Sequence, residues 1–164
     1  MAEIPVVVVD VMRGGPSTGI PTKSEQADLN IAVYGLHGDA PHLVPAPQSV
    51  GDCMFTTQWA TYLAETLQAP VIILSDQFMG QSRAAIERPA DVAFIGARTV
   101  ATDIAGAYKR YAMAANDVSP MAIPGLRGGQ YTADGLTHSE RGTPTSAAAD
   151  HLTQLDKRRD DAGV

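Results

Sequence analysis

A parallel α/β sheet flanked by helices is the fold class that this 164-residue chain predicts, and two observations carry it. The runs Val6 to Val9 and Val71 to Leu74 are short, unbroken and rich in β-branched residues, and each leads into polar residues. Such runs suit strands buried on both faces of a parallel sheet. Between them apolar residues recur at helical spacing, and strands alternating with helices imply a sheet whose ligand crevice lies beyond the carboxyl ends of its strands. A Gly- and Pro-rich stretch comes later. Residues 1–118 are therefore expected to bear the sheet, and residues 119–164 to form a loop-rich arm ending in a helix or tail.

The first strand is expected to stop at Arg13, where a polar loop begins. Gly14 and Gly15 can take positive φ and let backbone N–H groups approach a ligand, Pro16 sets a turn, Ser17 and Thr18 add hydroxyls, and Gly19 follows. Arg13 supplies a planar fork suited to a carboxylate or phosphate. Thr22 to Glu25 has the spacing of a capping box and leads into Leu29, Val33 and Leu36 at helical spacing. Strand, polar loop and helix start together favour a bound anion. A P-loop is excluded, because Ile20 stands where its lysine belongs. On the loop alone, an ordinary strand-to-helix turn with an exposed arginine remains the alternative.

Leu43 to Ala46 is a short strand candidate. Ser49 and Asp52 have capping-box spacing before Phe55, Trp59, Leu63 and Leu67, an apolar stripe read as core rather than as a cofactor-stacking surface. Pro70 opens the second strand, which ends at Ser75 and Asp76, so Arg13 and Asp76 both fall at strand ends and Asp76 is a further candidate site residue. Residues 82–117 are alanine-rich and expected to be partly helical. Residues 119–145 read as an ordered loop or partner-contacting arm, and Gln154 to Val164 as a solvated helix end or frayed terminus.

Composition narrows the function classes. A net charge of −6 leaves no basic balance for nucleic acid, and the N-terminal apolar run is too short to span a bilayer and lacks a basic leader before it. No nucleic-acid or membrane partner is expected, and the expected location is cytoplasmic. Cys53 is the only cysteine, so the chain alone can hold neither a four-thiolate cluster nor a disulfide, and Cys53 reads as a packed residue rather than a nucleophile. His37, Asp39 and His42, or Asp134, His138 and Glu140, offer metal-ligand types without a recognised spacing, so no metal is assigned.

Several of these segments resemble one family in one order. Arg13-Gly14-Gly15-Pro16-Ser17-Thr18-Gly19, followed by Pro21-Thr22-Lys23 and Glu25-Gln26, resembles the signature of the alpha subunit of 2-oxoacid:ferredoxin oxidoreductases, most closely the 2-oxoglutarate type. Tyr34-Gly35-x-His37-Gly38-Asp39-Ala40-Pro41, Ser49 to Cys53, Pro70 to Asp76, Ala122 to Gly125, Gly129 to Leu136 and His138 to Gly142 continue the likeness.

The resemblance implies oxidative decarboxylation of a 2-oxoacid with thiamine diphosphate. Electrons would pass singly through iron–sulfur centres to ferredoxin, and coenzyme A would take the acyl group. Arg13 and Thr18 would be the catalytic and substrate-binding pair, with Ser17 beside them and Gly14, Gly15 and Gly19 shaping the loop. Thiamine diphosphate and Mg2+ would be shared with or held by a beta subunit, and a [4Fe–4S] cluster would sit on another subunit, with none bound by this chain alone. Residues 1–118 would then be part of a pyrimidine-binding domain of the thiamine-diphosphate-binding fold.

Departures from the pattern bear on activity. The signature strand follows Met1 by a few residues, so the family's first strands, its activating glutamate and its C-terminal domain are expected to have no counterpart in this stretch. Met12 replaces a usual glutamine, and Gln77-Phe78 a usual glycine-aromatic pair. A split or truncated subunit completed by other chains is one expectation, and an inactive remnant another. A non-catalytic α/β anion-binding or assembly module is the rival class. Apolar strand edges left by a missing first strand would favour association.

Overall fold

The computed structural model describes residues 2–21, 23–38, 42–88 and 94–161. Strand β1 (Val6–Met12) pairs in parallel with β2 (Pro70–Asp76), in register from Val6 opposite Pro70 to Met12 opposite Asp76. Between them lie helices α1 (Leu29–Tyr34) and α2 (Asp52–Leu67). After β2 come α3 (Gln77–Gln81) and, at the end of the chain, α4 (Ala148–Asp161).

The sheet has a small core on each face. On one, Val71 and Ile73 of β2 meet Ala60 and Ala64 of α2, with Val7, Leu43 and Leu63 against them. On the other, Met12 and Leu74 meet Ala32 of α1, with Val44 and Ile72 beside them. This alternation is the period-two geometry of a strand with a helix on either side. Leu43 and Pro45 accept hydrogen bonds from the Ile72 and Leu74 N–H groups, and Leu43 bridges Val71 in parallel, so the expected third strand is an extended flank of β2.

Several expectations need correction. The valine run of β1 is not buried on both faces: Val6, Val8, Val9 and Val11 are each about half exposed, because among the described residues β1 is an outer strand with β2 alone beside it. The spacing of Thr22 to Glu25 does not start a helix. Thr22 is outside the described residues, α1 begins at Leu29 after Asp28 without a side-chain cap, and Leu36 lies beyond its end.

The stripe on α2 is shifted by one residue from the expected one. Thr56, Ala60 and Ala64 are the buried positions, whereas Phe55 and Trp59 are exposed and Leu63 and Leu67 half-buried. Small residues let the helix approach the sheet closely, and the large aromatics stand at the sides. The start of α2 keeps half of the expected box: Ser49 Oγ accepts from the Asp52 N–H, but Asp52 Oδ2 takes the Gln48 N–H instead of that of Ser49, and the helix begins at Asp52 after Gly51.

Residues 82–117 contain no helix among those described. Instead residues 94–98 lie over α2, where Arg98 makes a two-pronged pair with Glu65 and Phe94 packs on Phe55 and Tyr62. A Cβ on Gly96 would come 2.7 Å from the Tyr62 carbonyl oxygen, so the backbone lies directly on the helix. Such contacts override alanine's helix preference.

The arm is ordered and irregular as expected, but it is packed: Ser119, Met121, Ala122 and His138 are buried. Nor is the end of the chain a solvated tail, since Gln154 and Lys157 of α4 are buried, and residues 162–164 lie outside the described ones. No helix among the described residues is long and apolar enough to cross a membrane.

Candidate functional site

β1 delivers Arg13 to the carboxyl end of the sheet, and the following loop is tied back on itself. The Gly14 N–H donates to the Lys23 carbonyl at 2.8 Å, and the Ile20 N–H to the Gly14 carbonyl at 2.6 Å. The Gly19 N–H donates to Pro16 O at 3.3 Å. Gly14 and Gly15 are not left-handed; that conformation falls to Ser17 and Gly19, at φ 63° and 86°.

The loop positions the arginine stem directly. A Cβ on Gly19 would lie 2.6 Å from Arg13 Cγ and 2.8 Å from Nε, so Arg13 crosses the loop over a residue without a side chain. Arg13 is half-buried and has no hydrogen bond or ion pair among the described residues. Ser17 and Thr18 are exposed, and their hydroxyls also lack partners there. A guanidinium whose stem rests on Gly19, in a loop that also carries two exposed hydroxyls, can receive a small carboxylate.

Asp76 stands opposite Met12 but does not pair with Arg13. Its buried carboxylate is engaged within the protein: Oδ1 accepts from the Met79 N–H at 2.8 Å, capping α3, and Oδ2 from Gln26 Nε2 at 3.2 Å. Ser24 Oγ donates to Gln77 Oε1 at 3.1 Å. Farther back on β1, burial and then the neighbouring Asp28 push the Asp10 carboxyl above its ordinary range.

The other sequence candidates separate. Cys53 is half-buried, with its thiol donating to the Ser49 carbonyl at 3.4 Å and 4.0 Å from the Met79 sulfur. His42 Nδ1 contacts the Val33 carbonyl, His37 is exposed, and Asp39 is outside the described residues. His138 stacks on Tyr111 with ring centroids 3.8 Å apart, Glu140 pairs with Lys109, and Asp134 accepts from the Leu136 N–H. The Lys109 hydrogen bond holds the Glu140 carboxyl below its ordinary range. Among the described residues no three His, Cys, Asp or Glu side chains gather as metal ligands.

Sequence reasoning missed a buried polar cluster away from the loop. Glu3 accepts from Lys157 Nζ at 2.9 and 3.1 Å and lies 3.6 Å from Arg110 and 3.4 Å from Arg158. Arg110 also donates to Gln68 Oε1, and Lys157 to Ser119 Oγ. Burial pushes the Lys157 ammonium below its ordinary range, against the pull of Glu3. No local pattern announces a cluster that joins Glu3 to Lys157, 154 residues away, and to the next residue, Arg158.

Residues 1–157 match the family described as pyruvate flavodoxin/ferredoxin oxidoreductase, thiamine diphosphate-binding. The chain belongs to this family. It is 38% identical over 158 residues to the 2-oxoglutarate synthase subunit KorA of Methanothermobacter marburgensis, covering 96% of this chain and 42% of that one. It is 33% identical over 163 residues to 2-oxoacid:ferredoxin oxidoreductase 1, subunit alpha, of Sulfurisphaera tokodaii, covering 96% of this chain and 25% of the relative. A solved 2-oxoglutarate:ferredoxin oxidoreductase from Magnetococcus marinus, with 2-oxoglutarate, coenzyme A and succinyl-CoA bound, superposes with a TM-score of 0.89. That match has 44% identity and covers 99% of this chain and 28% of the solved one. The chain thus spans less than half the length of these relatives. The expected likeness to 2-oxoglutarate-type alpha subunits and the expected α/β architecture both hold.

Proposed function

We propose that this chain supplies the substrate-carboxylate-binding loop of a 2-oxoacid:ferredoxin oxidoreductase, with 2-oxoglutarate as the substrate. One observation carries the reading: Arg13 is half-buried at the carboxyl end of the sheet, crosses Gly19, and has no anionic partner among the described residues. Holding a cation in a fixed place without a protein counter-charge suits a charged ligand. A parallel sheet binds ligands at this end.

Arg13 forks onto the substrate's carboxylate, and Thr18 donates a hydrogen bond beside it. Ser17, left-handed at φ 63°, turns the loop, while Gly14, Gly15 and Gly19 shape it. A charge-assisted pair and a hydroxyl bond together fix where the adjacent keto carbon stands, which removes orientational freedom before reaction. Thiamine diphosphate, when bound, supplies the carbanion chemistry of decarboxylation. The described residues do not provide a gathered carboxylate or histidine set for its Mg2+. The family resemblance supports placing the cofactor and its metal in a site shared with or held by a beta subunit. With one cysteine, Cys53, the chain leaves the [4Fe–4S] cluster to another subunit.

In the assembled, cytoplasmic enzyme, coenzyme A takes the acyl group, carbon dioxide leaves, and an electron pair passes singly to ferredoxin. Residues 1–118 act as part of the pyrimidine-binding domain and residues 119–164 as its arm. The test is Arg13→Lys in the full oxidoreductase, assayed for 2-oxoglutarate-dependent ferredoxin reduction. Loss of the fork raises KM for 2-oxoglutarate about tenfold or more, leaving KM for coenzyme A unchanged. Wild-type kinetics in that variant would reject the assignment.

A further inference from the structure

Three consecutive side chains after the arginine loop hold its exit. Ser24 bonds Gln77, Gln26 bonds Asp76, and the Glu25 carboxylate lies against Gly14, 3.2 Å from where a Cβ would stand. The fixed side of this arrangement is the junction of β2 and α3. Asp76 is buried, pairs in register with Met12 immediately before Arg13, and has its other oxygen on the Met79 N–H at 2.8 Å. Between the two anchored ends, the chain from Gly14 to Lys23 closes on itself through the Gly14 and Ile20 amide bonds. The Arg13 stem rests on Gly19 within that closed segment.

We infer that Gln26 and Asp76 are positioning residues, whose hydrogen bond holds the loop closed and so fixes Arg13. The aspartate needs two acceptor oxygens and no substrate contact for this task. Its charge helps by strengthening both accepted bonds. The inference rests on the reading of Arg13 as the carboxylate ligand only for its effect on substrate binding; the anchoring itself does not depend on it.

The test separates the two. Amide hydrogen exchange at Gly14 and Ile20 is measured in the assembled oxidoreductase carrying Gln26→Ala, Asp76→Ala or Asp76→Asn. Removing the Gln26 bond is expected to speed exchange at both amides about threefold to tenfold, the range for one hydrogen bond. KM for 2-oxoglutarate should rise by a similar factor, with kcat changed far less. Asp76→Ala should match or exceed this, because it also uncaps α3. Asp76→Asn should restore most of it, since the asparagine oxygen can face Met79 and its amide can donate to a turned Gln26.

Unchanged exchange in Gln26→Ala would overturn the inference. So would Asp76→Asn behaving like Asp76→Ala with a collapse in kcat, which would place the carboxylate in the chemistry itself. Arg13→Lys, read by KM alone, fails or succeeds independently of these exchange rates.

Discussion

At Gly19 one hydrogen in place of a methyl group decides where Arg13 can lie. The residue is left-handed at φ 86°, and an added Cβ would fall 2.6 Å from Arg13 Cγ. Gly19→Ala therefore meets two obstacles: a backbone region costing about 1–2 kcal/mol for an L-residue, and a collision with the side chain proposed to bind substrate. Arg13 must swing off the loop. Calorimetric titration of the assembled enzyme with 2-oxoglutarate should show affinity reduced by about tenfold or more, with the complex still folded. Unaltered affinity would mean that Arg13 does not need its place over Gly19. The loop itself was legible in the sequence, because glycine, proline and hydroxyl residues after a β-branched run mark a turn. Which glycine mattered was not legible: Gly14 and Gly15 looked permissive, but the left-handed turns fell at Ser17 and Gly19.

The secondary-structure elements show where pattern reading succeeds. Both strands and their parallel pairing follow from valine and isoleucine runs separated by helices, and the register brings Arg13 and Asp76 to one end as expected. The phase of α2 was misread because side-chain size was taken as a measure of burial. Ala60 and Ala64 face the sheet at 0% and 2% exposure, while Trp59 is 41% exposed. Close packing of helix on sheet here requires small residues. Ala60→Leu should therefore destabilise the chain by about 1–3 kcal/mol through overpacking. Trp59→Ala should cost less than the about 3–5 kcal/mol typical of a buried tryptophan. Urea denaturation of both variants checks the order, and a larger loss for Trp59→Ala would restore the aromatic stripe as core. The alanine-rich segment after α3 misled for a related reason: its conformation is set by Glu65, Tyr62 and Phe55 on α2, partners that no local window contains.

Across the whole molecule, contacts distant in sequence join the ends of the chain while one sheet edge stays open. Glu3 brings Arg110, Lys157 and Arg158 together, so α4 is docked on the N-terminal segment by buried charges rather than by an apolar face. Removing one partner of such a cluster is costlier than never having built it, because the remaining charges stay desolvated. The opposite condition holds at β1. Val6, Val8, Val9 and Val11 are each 47–53% exposed on a strand that, among the described residues, is paired on one side only. An apolar strand with free backbone donors and acceptors is a template for another strand. The 164-residue chain by itself is therefore expected to self-associate at micromolar concentration. Val9 is the most exposed of the four, so Val9→Lys introduces a charge at the edge with little loss of core. Sedimentation velocity should show the variant shifted toward monomer, with an unchanged circular dichroism spectrum. If the parent chain sediments as a monomer across that range, the open edge is not the association surface that its valines suggest. If instead Val9→Lys associates as strongly as the parent, the contact lies elsewhere, and the exposed aromatics Phe55 and Trp59 on α2 become the surface to vary.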